Sequence, residues 1–446
     1  MNIKRLSLSL AYILLNLLIY PPFNLGGLAF FAYLPFLFLL GSGISVRFYF
    51  GLSLIYNLLY FFWLIRTNVS GWVLLSLFFA LSSLPGFLLI RYCWRRNWLF
   101  ILSLLLVGFE YLRVATDYML PFQIIGYSQW NIYAVLQLAA LGGVWLVSWF
   151  IYSSNLCLYN IWRFRKPNWI WLLILLILFC LANITVLVQR QPKHSLRVAL
   201  IQTNLCLDGG SIDEELFWHT YTESCRQAAL QNPDLYIWPE VALPYSLREN
   251  WDSAKRLRNL LNELKSGIIL GNRDSDKFSL RYNDNYNAAF YINADGVVLG
   301  THYKQKLIPF IETTNYHLPF LPYFIRNKIQ AGIYRIGRND RNLFEIHPDL
   351  KIAPMICYEA VNGDYVRKFT RQKPGFIVNV SSDGWSRSLT EHQLNFNFNV
   401  FRAVENRLYL VRVAEDGISA VISPRGDILA VLPAFTSGNI VFDVPY

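Results

Sequence analysis

The chain has 446 residues, enough for two or more domains, and 54% of them are hydrophobic against 15% charged, which is too apolar for an ordinary soluble protein. Its net charge of +11 does not mark a nucleic-acid binder, because the surplus is confined to one half. Residues 1–193 hold 13 Lys and Arg against two acidic residues, whereas 194–446 hold 27 of each, so the excess accompanies apolar runs and reads as a topology signal rather than a phosphate-binding patch.

In chain order, apolar runs cover 6–20, 26–41, 47–66, 70–90, 97–115, 136–160 and 168–189. The later ones are long enough to cross a hydrocarbon core of about 30 Å. The first two are short, and Pro21, Pro22, Gly26 and Gly27 between them predict a tight hairpin. No small-residue cleavage site follows the first run, which argues against a signal peptide. The reading is a polytopic α-helical membrane domain of about seven spans over 1–193. With Lys4 and Arg5 in the cytoplasm, the cytoplasmic connections carry nine basic residues, adding Arg47, Arg91, Arg95, Arg96, Arg163, Arg165 and Lys166. The opposite connections carry two, Arg66 and Arg113. That bias places 194–446 and the C-terminus, "VFDVPY", outside, which in a bacterium is the periplasmic side of the inner membrane. Glu110 and Arg113, at a span end, are expected to pair with each other.

From about Ser195 the sequence is mixed. Strand patterns occur at 196–202, 234–238, 267–271, 287–293, 297–303, 351–356, 375–380, 408–413 and 418–423, and helical patterns near 212–230, 253–265 and 390–406. Their alternation predicts an α/β layered domain over 194–446, with functional groups just beyond strand ends. Three ionisable residues lie there: Glu240 in "LYIWPEVALP", Lys304 in "GTHYKQKLIPF" and Cys357 in "PMICYEA". Singly each has an ordinary explanation: a solvated loop acid, an edge charge, a small core thiol. Together they supply a base, a cation and a thiol, which can activate a nucleophile and stabilise an oxyanion. Lys306 shares the strand face of Lys304, so alternation does not choose between them. No CxxC or His/Cys metal spacing appears, and no nucleotide motif, so neither metal nor cofactor is expected. Cys206, Cys225 and Cys357 are an odd number of outer-domain thiols, and a Cys206–Cys225 disulfide stays open.

The run WPE, YKQKLIPF, ICYE, NVSSDGW resembles the nitrilase, or carbon–nitrogen hydrolase, superfamily with its Glu-Lys-Cys triad. The first half sharpens the resemblance: "YPPFNLGGLAF" and "FEYLRVATDYMLPFQIIGYSQW" are similar to segments of the apolipoprotein N-acyltransferase family, and "IPFIE" to its PFGE motif. The resemblance implies an αββα sandwich for the second domain. It also implies Glu240 as general base, Lys304 as transition-state cation and Cys357 as nucleophile, with Glu312, Tyr358, Glu359 and Trp385 supporting the site. The lysine is selected as the one five residues before the Pro-Phe pair. The implied reaction moves an acyl chain from a membrane phospholipid through a thioester on Cys357 to the amine of a diacylglyceryl apolipoprotein, in the bilayer and without a cofactor. Two features depart from the family pattern: Ile311 replaces the glycine of PFGE, and "SDGWSR" replaces "NDAWFG" with Trp385 retained. A membrane-tethered amidase and a non-catalytic partner of a polyprenol glycosyltransferase remain as alternatives. The aromatic stretch "NYHLPFLPYFI" between the lysine and the cysteine is expected to be either an interfacial arm or a loop packed on its own domain.

Overall fold

The computed structural model describes residues 3–115, 120–165, 167–187, 192–205, 213–243, 245–247, 249–275, 285–309, 311–312, 334–338 and 342–446. The aromatic stretch, with Tyr316, Phe320, Tyr323 and Phe324, and Cys206 lie outside these residues. The chain divides into two compact units: Met1–Gln189 with Ser386–Asn397, and Arg190–Trp385 with Phe398–Tyr446.

The first unit is helical. Its α-helices are α1 (Ile3–Leu18), α2 (Ala29–Ala32), α3 (Leu34–Gly41), α4 (Val46–Tyr60), α5 (Val69–Ser82), α6 (Leu84–Arg95), α7 (Leu99–Ala115), α8 (Tyr133–Leu136), α9 (Ala139–Phe164) and α10 (Trp169–Leu187). Every apolar run of the sequence becomes helical, but the expected seven crossings are not all matched by helices of spanning length. Three stretches among the described residues are long and apolar enough to cross a membrane: Val69–Arg95, Ala139–Phe164 and Trp169–Leu187. By contrast α1 has 16 residues and α4 has 15. At 1.5 Å per residue, both fall short of a hydrocarbon core of about 30 Å. Apolar side chains such as Ile170, Leu173, Leu176 and Ile184 of α10 face outward, as a lipid solvent requires. Inside, buried amides tie backbones together: Asn155 Nδ2 donates to Ala29 O at 2.8 Å, and Asn16 Nδ2 to Ala32 O at 2.9 Å. Glu110 and Arg113 do not bond each other. Glu110 Oε1 accepts from Ile125 N (2.8 Å) and Tyr152 OH (2.7 Å), and Arg113 donates to Gln123 O (3.2 Å), so both brace the loop after α7.

The second unit holds two six-stranded sheets. The strands are β1 (Ser195–Gln202), β2 (Leu235–Ile237), β3 (Gly267–Ser275), β4 (Asn285–Ile292), β5 (Val298–Tyr303), β6 (Phe344–His347), β7 (Leu350–Ile356), β8 (Phe376–Ser381), β9 (Tyr409–Ala414), β10 (Ser419–Ile422), β11 (Ile428–Leu432) and β12 (Gly438–Pro445). One sheet runs β12-β1-β2-β3-β4-β5 and the other β11-β10-β9-β8-β7-β6. Each contains three parallel neighbours, β1-β2-β3 and β7-β8-β9.

The strand patterns explain the layering. Leu196, Val198 and Leu200 point to a core shared with Ile352, Val378 and Val411 of the other sheet. The alternate residues Ala199 and Ile201 point instead to α11 (Glu214–Ala229) and α12 (Trp251–Leu264), packing on Phe217, Tyr221 and Leu257. Strands buried on both faces read as unbroken apolar runs, and each such Ile, Leu or Val contributes roughly 1.5–3 kcal/mol on burial. On the second sheet α13 (Gly363–Thr370) packs against β7, and Thr370 Oγ1 donates to Asn406 Oδ1 of α14 (Leu389–Asn406) at 2.7 Å. The result is the αββα sandwich of the nitrilase type. Cys225 is a buried free thiol rather than half of a disulfide, and Trp238 Nε1 donates to it at 3.3 Å.

Candidate active site

The site residues enter from strand ends. β2 stops at Ile237 because Pro239 cannot extend the ladder, and Glu240 follows. The neighbouring strand β3 approaches so closely that a Cβ on Gly271 would stand 2.5 Å from the Glu240 Cα, which explains the glycine there. Lys304 comes one residue after β5 and Cys357 one residue after β7. Cys357 has a φ of +46°, a left-handed conformation that costs a non-glycine residue about 1–3 kcal/mol and lifts the thiol out of strand alternation. The neighbouring strand holds this turn: Asn379 Nδ2 donates to Cys357 O at 3.2 Å.

Glu240, Lys304 and Glu312 form one buried charged unit. Lys304 is 0% exposed, and its Nζ donates to Glu240 Oε1 at 2.9 Å and to Glu312 Oε1 at 2.7 Å. Glu240 also accepts from Asn287 Nδ2 (2.6 Å) and, through Oε2, from Ser382 N (2.9 Å). The second of these bonds links the end of the first sheet's β2 to the end of the second sheet's β8. Burial alone would push the Lys304 ammonium down, but the two carboxylates reverse this and hold it well above the usual lysine range. For Glu312, burial pushes the carboxyl up against the pull of Lys304, and Glu240 pushes in the same direction as burial. Its turn is closed by Ile308 N donating to Glu312 Oε2 at 2.8 Å. Ile311, beside it, is exposed and is not among the residues with positive φ, so the absence of the family's glycine carries no backbone strain.

Burial pushes the Cys357 thiol well above its ordinary value, Glu240 adds to that, and Lys304 opposes it. The resting group is therefore the thiol rather than the thiolate. Glu359 is 0% exposed and acts as a clamp. It accepts from Ile356 N (2.9 Å), Gln305 N (2.7 Å), Tyr365 OH (2.8 Å) and His302 Nε2 (2.8 Å). These bonds fasten the residue before the cysteine to the residue after the lysine. Burial favours its neutral form, but His302 and the two backbone N–H groups hold the carboxyl below the usual range. Tyr358 is half-buried against the core between the sheets, and Trp385 is half-buried in the turn after Asp383.

The structure thus brings together Glu240, Lys304 and Glu312 by direct bonds, and places Cys357 within the electrostatic reach of all three. It separates Lys304 from Lys306: β5 ends at Tyr303, Lys304 turns into the buried site, and Lys306 is only half-buried. Sequence reasoning missed Asn287, His302, Asn379 and Arg412. Asn379 and Arg412 are polar residues inside otherwise apolar strands, a signal that could have found them. Arg412 is buried, reaches Asn379 Oδ1 at 3.5 Å and donates to Asp383 Oδ2 at 2.5 Å.

Residues 197–446 match the carbon–nitrogen hydrolase family, and residues 14–157 match the apolipoprotein N-acyltransferase N-terminal domain. The chain is 29% identical to an apolipoprotein N-acyltransferase of Geobacter metallireducens, over 93% of this chain and 84% of the relative. It is 28% identical to apolipoprotein N-acyltransferase 1 of Treponema denticola, over 94% of this chain and 86% of the relative. Among solved structures, an amidase from Nesterenkonia sp. covers 58% of this chain and 92% of its own, with a TM-score of 0.43 and 17% identity. The apolar helices and the sources of these relatives place the chain among bacterial membrane proteins. With its match extending over more than half of its length, the chain belongs to the carbon–nitrogen hydrolase family.

Proposed function

We propose that this chain is an apolipoprotein N-acyltransferase, which moves a fatty acyl chain from a membrane phospholipid to the α-amino group of a diacylglyceryl-cysteine lipoprotein. The observation that carries the reading is the joining, in one chain, of a carbon–nitrogen hydrolase domain to an apolipoprotein N-acyltransferase N-terminal domain. A hydrolase acting on a soluble amide has no need of the second.

In this reading Cys357 is the nucleophile, Glu240 the general base and Lys304 the cation that stabilises the tetrahedral oxyanion. Because the thiol rests protonated, Glu240 takes its proton as Sγ attacks the ester carbonyl of the donor. The glycerol C–O bond breaks, the proton passes to the departing alkoxide, and a thioester remains on Cys357 as lyso-phospholipid leaves. The acceptor amine then attacks the thioester, giving up a proton to Glu240 and expelling the thiolate, which is reprotonated. Glu312 shares the Lys304 ammonium and fixes its position. Glu359 sets the lysine and cysteine turns relative to each other. Tyr358 supplies a backbone N–H beside the developing oxyanion, and Trp385 walls the site.

The proposal extends to topology: a membrane domain over 1–193 with seven crossings, and a catalytic domain over 194–446 on the periplasmic side. The loop-charge bias of nine against two supports it. The product test is direct. Purified protein is incubated with acyl-labelled phospholipid and a diacylated lipopeptide. Label in an amide on the peptide is the expected result. Label released as free fatty acid would instead mark an amidase-like hydrolase, and no release at all a non-catalytic chain.

A further inference from the structure

Within the first unit, between α9, the start of α10 and the α6–α7 turn, lies a cavity of about 240 Å³. One face of α9 builds its wall: Ser153, Leu156, Cys157 and Asn160 recur at i, i+3, i+4 and i+7. Both α9 and α10 are long and apolar enough to cross a membrane. Polar side chains on such helices turn to protein partners or to a polar cavity, because lipid offers them no hydrogen bond. Asn97, in the α6–α7 turn, and Asn168, just before α10, complete the polar lining.

Ser153 points to a ligand. Elsewhere on these helices Ser9, Ser76 and Ser154 return their hydroxyls to the carbonyl four residues back, at 2.8, 2.7 and 2.8 Å. Ser153 is 0% exposed and lines the cavity, and its Oγ has no hydrogen-bond partner among the described residues. The polar groups around it are three carboxamides and a thiol, none of them charged. A carboxamide both donates and accepts, as a hydroxyl does, so the lining suits a small neutral polyol. Charge lies just outside. Arg95 and Arg96 precede Asn97, Arg163 and Arg165 precede Asn168, and all four are exposed. The two acids of 1–193, Glu110 and Asp117, are on neither connection. Trp98, Trp162 and Trp169 are exposed at the same helix ends, as is common at a membrane–water boundary.

We infer that this cavity binds the headgroup of a phosphoglycerol lipid of the cytoplasmic leaflet, held as a bound lipid rather than a substrate, with Ser153 and the asparagines on the glycerol hydroxyls and the flanking arginines on the phosphate. Basic pockets between membrane helices on that side collect anionic headgroups. Two basic pairs, one on each connection, also suit a lipid whose glycerol bridges two phosphates. The leaflet follows from the loop-charge topology, and the site itself does not depend on the acyl-transfer reading.

The test uses delipidated full-length protein in detergent, with every cysteine but Cys157 replaced by serine. It reads the rate at which methyl methanethiosulfonate modifies Cys157, and native mass spectra of the wild type count retained lipid beside it. Lipids with one or two phosphates on the glycerol should each slow the modification, a phosphoethanolamine lipid should not, and the wild type should retain one phosphoglycerol lipid. Arg96→Gln and Arg165→Gln should each raise the half-protecting concentration about tenfold, the loss of one charge-assisted bond. Ser153→Ala should raise it about two- to tenfold, the loss of one neutral bond. With Cys357 present, Ser153→Ala and Asn160→Ala should load acyl groups from a phosphoethanolamine lipid at near the wild-type rate. A Cys157 that is unreactive without lipid, or equally protected by every lipid, overturns the site. Equal protection by soluble glycerophosphoglycerol would assign the cavity to a free metabolite and overturn the lipid. Loss of acyl loading in the two cavity variants would assign the cavity to the acyl donor and overturn the inference likewise.

Discussion

Lys304 Nζ sits 2.9 Å from Glu240 Oε1 with both side chains buried, so the ammonium and the carboxylate act as one electrostatic unit. Removing the lysine leaves Glu240 and Glu312 as buried neighbouring carboxylates. Lys304→Met is therefore expected to lower stability by about 3–5 kcal/mol, the range for breaking a buried pair, as well as abolish turnover. Lys304→Arg keeps the charge and should fold, yet still lose most activity because the guanidinium does not fit between the two carboxylates. Chemical unfolding alongside a loading assay separates the two effects.

Glu359 gives a pH-dependent term of known sign. Its folded carboxyl is held below the usual range, so the stability it contributes is complete above the unfolded carboxyl pKa of about 4.3 and is lost as pH falls through the lower folded value. Glu359→Gln should cost about 2–4 kcal/mol at neutral pH, since four donors lose an anionic acceptor. The gap between wild type and variant should narrow below about pH 4.3. A gap that stays constant from pH 7 to 3 would contradict the clamp.

Asn379 holds the strained cysteine turn through the Cys357 carbonyl. Asn379→Ala is expected to slow acyl loading about tenfold or more, while costing about 1–3 kcal/mol in unfolding from the buried Arg412 bond it removes. Cys225→Ser should leave loading near wild-type level, because that thiol packs on Trp238 and is pushed by burial to about 12.

For topology, a cysteine placed in the β11–β12 turn of a variant lacking the native thiols should react with a membrane-impermeant reagent on intact spheroplasts. Labelling only after lysis would place the second unit on the cytoplasmic side.

Legibility followed chemistry. Glu240, Lys304 and Cys357 were readable because each stands just past a strand pattern. The edge strands β6 and β11 and the returning β12 were not read, because edge and half-exposed strands lack a continuous apolar run. The eight residues of α13 are too few to show a helical period. Apolarity alone does not give helix length: the run 47–66 reads as one span, yet its α-helix ends at Tyr60 and a tighter turn, Phe62–Arg66, follows. Asn287 and His302 act through partners distant in sequence, so no local pattern announces them.

The central claim is that Cys357 carries the acyl chain. The most direct measurement is the intact mass of the purified protein after exposure to phospholipid alone. The account predicts one added acyl group on Cys357, removed by neutral hydroxylamine, discharged by lipopeptide amine and absent in Cys357→Ser, with lyso-phospholipid released before any acceptor is added. If no adduct forms, and lyso-phospholipid is released only when donor and acceptor are both present, transfer is direct and Cys357 is not the carrier.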